Sequence, residues 1–228
     1  MFPPRKKFVI MRDILTERTI TAMNKLDRSF YLRDACTVAH ELIGKLLVHD
    51  SNEGLTSGII VEAEAYRGPE DKAAHSYSGR RTARTEIMYH EGGLAYVYLI
   101  YGMHHCFNVT ASHPGKPEAV LIRALEPAEG VPLMIKRRGV YDVRNLCNGP
   151  GKLCSAMDIT MEHYGIDLCG DELYITEGVK DFSVKTSERV NVDYAEECRK
   201  FLWRYFADGN KFVSRVKQNR PQSFTDGR

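Results

Sequence analysis

Val61-Glu62-Ala63-Glu64-Ala65-Tyr66, followed nine residues later by His75, sets acids and an aromatic where a core strand would carry valines. Isoleucine, valine and alanine surround it and predict a strand over Ser57 to Tyr66. Period-two alternation then sends Glu62, Glu64 and Tyr66 to one face and Val61, Ala63 and Ala65 to the other. Two carboxylates about 7 Å apart beside a phenol suit a cleft, in which mutual repulsion and partial burial raise one pKa and leave a usable base. A solvated strand face is the plain alternative.

Outward from this segment, 228 residues suit one domain with a real core. An apolar fraction of 43% with 27% charged residues is the balance of a soluble globular chain, which sets aside disordered and membrane classes. No apolar run approaches the roughly 18 residues of a membrane span, and Met1 to Met11 lacks the apolar core of a secretory signal. Net charge is only +2, but residues 199 to 228 hold eight Lys or Arg against two Asp. Such a run reads either as a phosphate-binding surface or as a solvated terminal segment. Cys36, Cys106, Cys147, Cys154, Cys169 and Cys198 form no CxxC pair, so zinc is unsupported and the thiols read as reduced and cytoplasmic. No cofactor or metal is expected, and the chain is taken as a monomer.

Residues 1–28 read as a basic arm, 29–217 as the domain and 218–228 as a tail. A helical period runs from Ala35 to Leu47, weakened by Gly44, and a turn at Ser51 to Gly54 precedes the acidic strand. Leu94 to Ile100 and Cys106 to Thr110 read as strands of a hairpin turning at Tyr101-Gly102-Met103. A strand over Ala119 to Leu125 and helices over Glu129 to Arg138 and Gly151 to Met157 follow. Short strands are expected near Glu172 to Thr176 and Val179 to Thr186. These elements make one mixed α+β domain, its curved and mostly antiparallel sheet surrounded by helices, with a protruding hairpin.

Tyr96 and Tyr98 share a strand face, whereas Tyr101 at the hairpin tip has no core to fill. It packs on a neighbouring loop or serves as a wedge for a base-pair stack. Arg123 interrupts an apolar strand, and a buried guanidinium needs a carboxylate beside it, for which Glu62 and Glu64 are candidates. That pairing is structural or catalytic. Asn108 alternates toward the same cleft. Arg80, Arg81 and Arg84, set among Gly and hydroxyl residues, suit phosphate contacts or a solvated loop.

Four ordered motifs now converge: Val61 to Ser76, Tyr96 to Met103, Leu121 to Pro127 and Gly149 to Cys154. Together they closely resemble the alkyladenine (3-methyladenine) DNA glycosylase family, over a region from about Phe30 to Tyr205. The resemblance implies a hairpin that enters the DNA minor groove, with Tyr101 filling the gap left by a flipped nucleotide. It implies that Tyr66, His75 and Tyr98 enclose the extruded base, and that Asn108 disfavours the exocyclic amine of guanine. Glu64 matches the general base that activates water, Arg123 helps hold that water, and the carbonyl of Val190 is its third partner. Met103, His104 and Lys152, in or beside these motifs, complete the expected DNA-binding set with Arg80, Arg81 and Arg84. The implied partner is double-stranded DNA with damaged purines, and the implied enzyme is monofunctional, cytoplasmic and nucleoid-associated on DNA. His104-His105 and Asn191 depart from the family pattern; asparagine tolerates the positive φ of the glycine it replaces.

Two other readings compete. A metal-dependent nuclease would use Glu62, Glu64, Glu70 and Asp71 as ligands, and a silent module would bind distorted DNA through Tyr101 and basic loops.

Overall fold

The computed structural model describes residues 20, 23–178 and 181–215. Asp34 starts the first long helix, α2 (Ala35–Leu42), by accepting the backbone N–H groups of Cys36 and Thr37; a single turn, α1 (Arg28–Tyr31), precedes it. The helical period anticipated through Leu47 stops five residues short. Gly44 takes φ 95°, its N–H donates to Ile60, and Leu46 and Leu47 open strand β1 (Leu46–Ser51) instead. Periodicity alone does not separate a helix end from a following buried strand when both are leucine-rich.

Strand β2 (Gly54–Tyr66) carries the acidic motif and is the longest element. It pairs antiparallel with β1 through the tight Ser51–Gly54 turn, and along its other edge with β5 (Glu118–Pro127). Beyond Ile60 its first edge is taken over by β8 (Arg204–Ala207), which β7 (Val184–Ser187) flanks. The hairpin β3 (Ala95–Ile100) and β4 (His104–Ala111) continues the sheet past β5, and β6 (Leu173–Thr176) closes the far side. The resulting eight-stranded sheet has the order β3-β4-β5-β2-β1-β6, with β8 and β7 off the path. Every pairing is antiparallel, and the exchange of partners along β2 curls the sheet, so the α+β architecture is as anticipated.

The two faces of the sheet do different work. Val61, Ala63 and Ala65 point with Val97, Phe107, Val109, Val120 and Ile122 into a core closed by Val38 and Leu42 of α2. Helix α4 (Pro150–Met157) adds Leu153 and Met157, and α3 (Val131–Arg138) adds Met134. The opposite face carries a polar row whose members oppose each other across five strands: Tyr96, Asn108, Leu121, Glu64 and Arg204. Alternation therefore holds where it matters, and the row is the foundation of the site.

The described part of the expected arm is docked: Leu26 is buried and donates its N–H to Ile175, and Lys25 bridges to Thr176. The rest of that arm and the tail 218–228 lie outside the described residues. All six cysteines are free thiols. Among the described residues no helix is long and apolar enough to cross a membrane.

Candidate active site

Between β2 and β5 the register is the same on both sides of one irregularity, where Glu62 faces Ala124 and both Val61 and Arg123 are left out of the pairing. Ordinary alternation sets Arg123, two residues beyond Leu121, on the acidic face, and the irregularity leaves it out of the ladder beside Glu62. Its Nε donates to Glu62 Oε1 at 3.0 Å and its Nη1 to Glu64 Oε2 at 3.2 Å. Both carboxylates are fully buried, so neither would stay charged without such a partner.

The two acids differ in everything else around them. Glu62 also accepts Arg204 Nε at 2.7 Å and both the backbone N–H and hydroxyl of Ser214, at 2.7 and 2.8 Å. Burial pushes the Glu62 pKa up, but the guanidinium groups of Arg123 and Arg204 and the bonds from Arg204 and Ser214 outweigh it and hold the carboxyl below the usual range. The repulsion expected to raise one pKa is thus reversed at Glu62, because three cationic or neutral donors stand where a second bare carboxylate was assumed. Arg204, counted in the basic terminal run, is buried on this acid and not on a phosphate-binding surface.

Glu64 keeps a lighter set. Its Oε2 accepts the Tyr66 hydroxyl at 3.0 Å as well as Arg123, while Oε1 accepts the backbone N–H of Val190 at 2.7 Å. Val190 is held there by its neighbour: Arg189 makes a fully buried bidentate pair with Asp71, at 2.5 and 2.8 Å, and donates to the carbonyls of Ala65 and Cys198. Arg189 also lies over the Tyr66 ring at 4.7 Å. Asn191 takes φ 60°, so asparagine does occupy the left-handed position at which the turn departs from the family's glycine. Burial, then the adjacent Glu64, pushes the Tyr66 phenol well above its ordinary value, so it donates as a neutral group.

The aromatic wall stands on β3 and on the loop after β2. His75 Nδ1 lies 2.8 Å from the Tyr96 hydroxyl, and its ring meets Tyr98 edge-on at 4.8 Å. Its other nitrogen, Nε2, is 3.2 Å from Arg84 Nη2. Arginine can only donate, so Nε2 is the acceptor and the ring proton resides on Nδ1. Burial, then the nearby charges of Arg84 and Arg80, lower the His75 pKa to about 4, in keeping with a neutral ring. Asn108 is buried on the site face, and its amide nitrogen donates to the Tyr96 carbonyl at 3.0 Å. A hollow of about 330 Å³ beside His75 is lined by Lys72, Arg80, Arg84 and Tyr194. A second, of about 440 Å³, lies against Tyr98, Leu99, Met161 and Tyr164, and Arg84 borders both.

The three arginines of the basic loop go to different places. Arg81 is tied to Glu86 by bonds of 2.8 and 2.6 Å, Arg80 lines the smaller hollow, and Arg84, itself exposed, lays its guanidinium 4.4 Å over the Tyr98 ring. At the hairpin tip Tyr101 is 81% exposed and Met103 70%, and no core claims either ring or thioether. Tyr101 also adopts φ 54°, costly for an aromatic residue, beside Gly102 at 69°. His104 packs at the start of α4, where a Cβ on Gly151 would come within 3.1 Å of it, and Lys152 donates to Asn148 at 2.7 Å.

Sequence reasoning had not reached Arg204, Arg189, Ser214 or Tyr164 as members of the site. Asp71, weighed as a metal ligand, is instead the partner of Arg189. Only the incidence of charge inside apolar segments hinted at these pairs. One further cluster, His49, His163 and Glu172, has ligating atoms within 4.8 Å of one another. Its imidazoles are already satisfied: His49 Nδ1 bonds the Met157 carbonyl, Thr160 N–H donates to His163 Nδ1, and the two Nε2 atoms share a proton at 3.1 Å.

The curled sheet thus carries a paired carboxylate and arginine on one face, with Tyr66, His75, Tyr96 and Tyr98 beside them. The model of the methylpurine-DNA glycosylase family matches residues 29–211. The chain is also 53% identical over 204 residues to a protein of Clostridium acetobutylicum, 86% of this chain and all of that one. It is 48% identical over 201 residues to one of Desulfitobacterium hafniense (84% and 99%) and 50% identical over 200 residues to one of Bacillus cereus (82% and 97%). All three carry the provisional name of 3-methyladenine DNA glycosylase. The chain belongs to the methylpurine-DNA glycosylase family, and that membership makes it a DNA glycosylase, an enzyme of DNA repair.

Proposed function

We propose that this protein flips alkylated or deaminated purines, 3-methyladenine and hypoxanthine among them, out of duplex DNA and hydrolyses the base–sugar bond with an activated water. An abasic site is left for base excision repair. The observation that carries the reading is the contrast in saturation between Glu62 and Glu64. Glu62 takes four hydrogen bonds, two of them from guanidinium groups, whereas Glu64 takes three, only one from a guanidinium, and its singly bonded Oε1 is aimed by the Val190 N–H.

In this reading Glu64 takes a proton from water as the water oxygen bonds to C1′ of the sugar. The C1′–N bond breaks, its electron pair leaves with the base, and the carboxylate steadies the oxocarbenium character that develops. Arg123 orients Glu64 and helps hold the water, with the Val190 carbonyl as a further partner. A purine alkylated at N3 or N7 departs neutral without help, whereas hypoxanthine also needs a proton. No lysine stands at the nucleophile position, so neither a Schiff base nor strand cleavage accompanies the reaction and the enzyme is monofunctional. Tyr101 fills the hole in the stack; its exposure and positive φ support this, because the strain serves no packing role. Tyr66, His75 and Tyr98 enclose the base, Asn108 opposes the guanine amine, and Arg80, Arg81, Met103, His104 and Lys152 face the DNA, while Arg84 borders the base pocket. The protein acts as a monomer without a cofactor.

The nuclease reading loses two of its four ligands, since Glu62 and Asp71 are each paired with buried arginine. Free-base release from an oligonucleotide bearing one lesion, with and without EDTA, is the test. Intact strands, free base and activity in EDTA are expected. Strand cleavage dependent on metal would overturn the reading.

A further inference from the structure

We infer that Arg84 is a specificity-determining residue of the base pocket, favouring neutral purines that present an acceptor over purines that carry a positive charge. This rests on the reading of the aromatic wall as the base pocket.

The loop holding Arg84 is fastened to the body of the protein. The Tyr164 hydroxyl lies 3.1 Å from the Ala83 carbonyl and 3.3 Å from the Arg84 carbonyl, and it receives the Ile87 N–H at 3.2 Å. Thr85, next in the chain, is buried and bonds back to Thr82. From this anchored backbone the side chain, exposed on its outer side, lies across the Tyr98 ring and reaches His75 Nε2. Its planar guanidinium covers an aromatic face and occupies the lone pair of His75 Nε2.

Two chemical consequences follow. With Nε2 engaged, His75 offers a base no acceptor, so recognition at this edge passes to the remaining donors of Arg84. Those donors match a neutral purine with a ring nitrogen or carbonyl oxygen at its edge, such as hypoxanthine. A purine alkylated at N7 brings its own positive charge against a fixed one. A single charge–charge interaction at a partly solvated site is worth roughly tenfold or more in discrimination.

The experiment compares wild type with Arg84→Gln and Arg84→Lys on two duplexes that differ only in the lesion, hypoxanthine or 7-methylguanine. Base release is measured in single turnover at saturating enzyme, which removes differences in DNA affinity. Arg84→Gln should lower the hypoxanthine-to-7-methylguanine rate ratio about tenfold. Arg84→Lys, which keeps the charge but not the planar fork, should fall between. Equal losses on both lesions would make Arg84 a phosphate or folding residue and overturn the inference. Wild type that released neither base would sink the glycosylase reading instead. Nitrogen-15 NMR of the His75 ring in the DNA-free chain tests the pocket arrangement independently of catalysis. Wild type should show the proton on Nδ1, and Arg84→Gln should shift that signature. A ring unaffected by Arg84→Gln, or protonated on Nε2 in wild type, would overturn the inference as well.

Discussion

Glu62 and Glu64 leave the same strand two residues apart and point the same way, yet the protein surrounds them differently. Around Glu62, Arg123, Arg204 and Ser214 supply four donors, two of them guanidinium groups, and tie β2 to β5, β8 and the segment beyond β8. Around Glu64 there is one shared guanidinium, one phenol and one backbone N–H. In the proposed mechanism the first arrangement is an anchor and the second the group that accepts a proton. Burial is complete at both, so the two acids differ only in the count and charge of their donors.

The largest expected effect breaks the anchor. Glu62→Gln removes the carboxylate partner of Arg204 and one of the two of Arg123, and losing one side of a buried pair costs about 3–5 kcal/mol. Urea unfolding monitored by circular dichroism should show that drop; a loss below about 1 kcal/mol would mean that the cage is dispensable. Because the Glu62 pKa is lowered in the fold, its stabilisation is present above the ordinary carboxylate value and disappears as pH falls through the folded one. The difference between wild type and Glu62→Gln should therefore narrow in acid.

Next comes the reactive member. Glu64→Gln should leave lesion-DNA binding largely intact and cut single-turnover base release at least roughly 10²-fold, the scale of losing a positioned base. Near-normal rates in Glu64→Gln combined with a well-folded but inactive Glu62→Gln would reverse the two roles.

A smaller effect is expected at the far end of the same polar row. Asn108→Ser removes the amide that donates to the Tyr96 carbonyl and leaves room for the guanine amine, so guanine release from undamaged DNA should rise relative to hypoxanthine release. One such mismatch is worth on the order of 1–3 kcal/mol. An unchanged ratio would place guanine exclusion elsewhere. At the hairpin, Tyr101→Ala should reduce the fluorescence of a 2-aminopurine beside the lesion, because nothing then fills the stack. Undiminished signal would remove the wedge role.

The mildest prediction concerns His75. Its folded pKa of about 4 lies under the ordinary 6.5, so the fold binds fewer protons than the unfolded chain between those values. Its contribution to stability is complete above pH 6.5 and lost as pH falls through about 4. Replacing it in His75→Asn should flatten the decline of the unfolding midpoint between pH 7 and 4. An identical pH profile would show that the neutral ring is not enforced by the fold.

By itself the sequence determined what depends on neighbours along the chain. Alternation through Val61 to Tyr66 assigned a core face and a site face, the Tyr101-Gly102-Met103 tip marked a hairpin, and the cost of burying Arg123 demanded a carboxylate, which Glu62 and Glu64 supply. These follow from period-two geometry and desolvation, which act over a few residues. Tertiary structure alone decided which acid is spent and which is kept. Arg204 reaches Glu62 across 142 positions of sequence, Val190 reaches Glu64 across 126, and Tyr164 pins the Arg84 loop from 80 residues away. It also decided that Leu46 and Leu47 extend a strand, where Gly44 turns the chain against β2, and that Arg84 reaches His75 while Arg81 is tied to Glu86. No local pattern encodes such pairings, because a side chain's charge state and direction are set by whichever distant segments the fold brings against it.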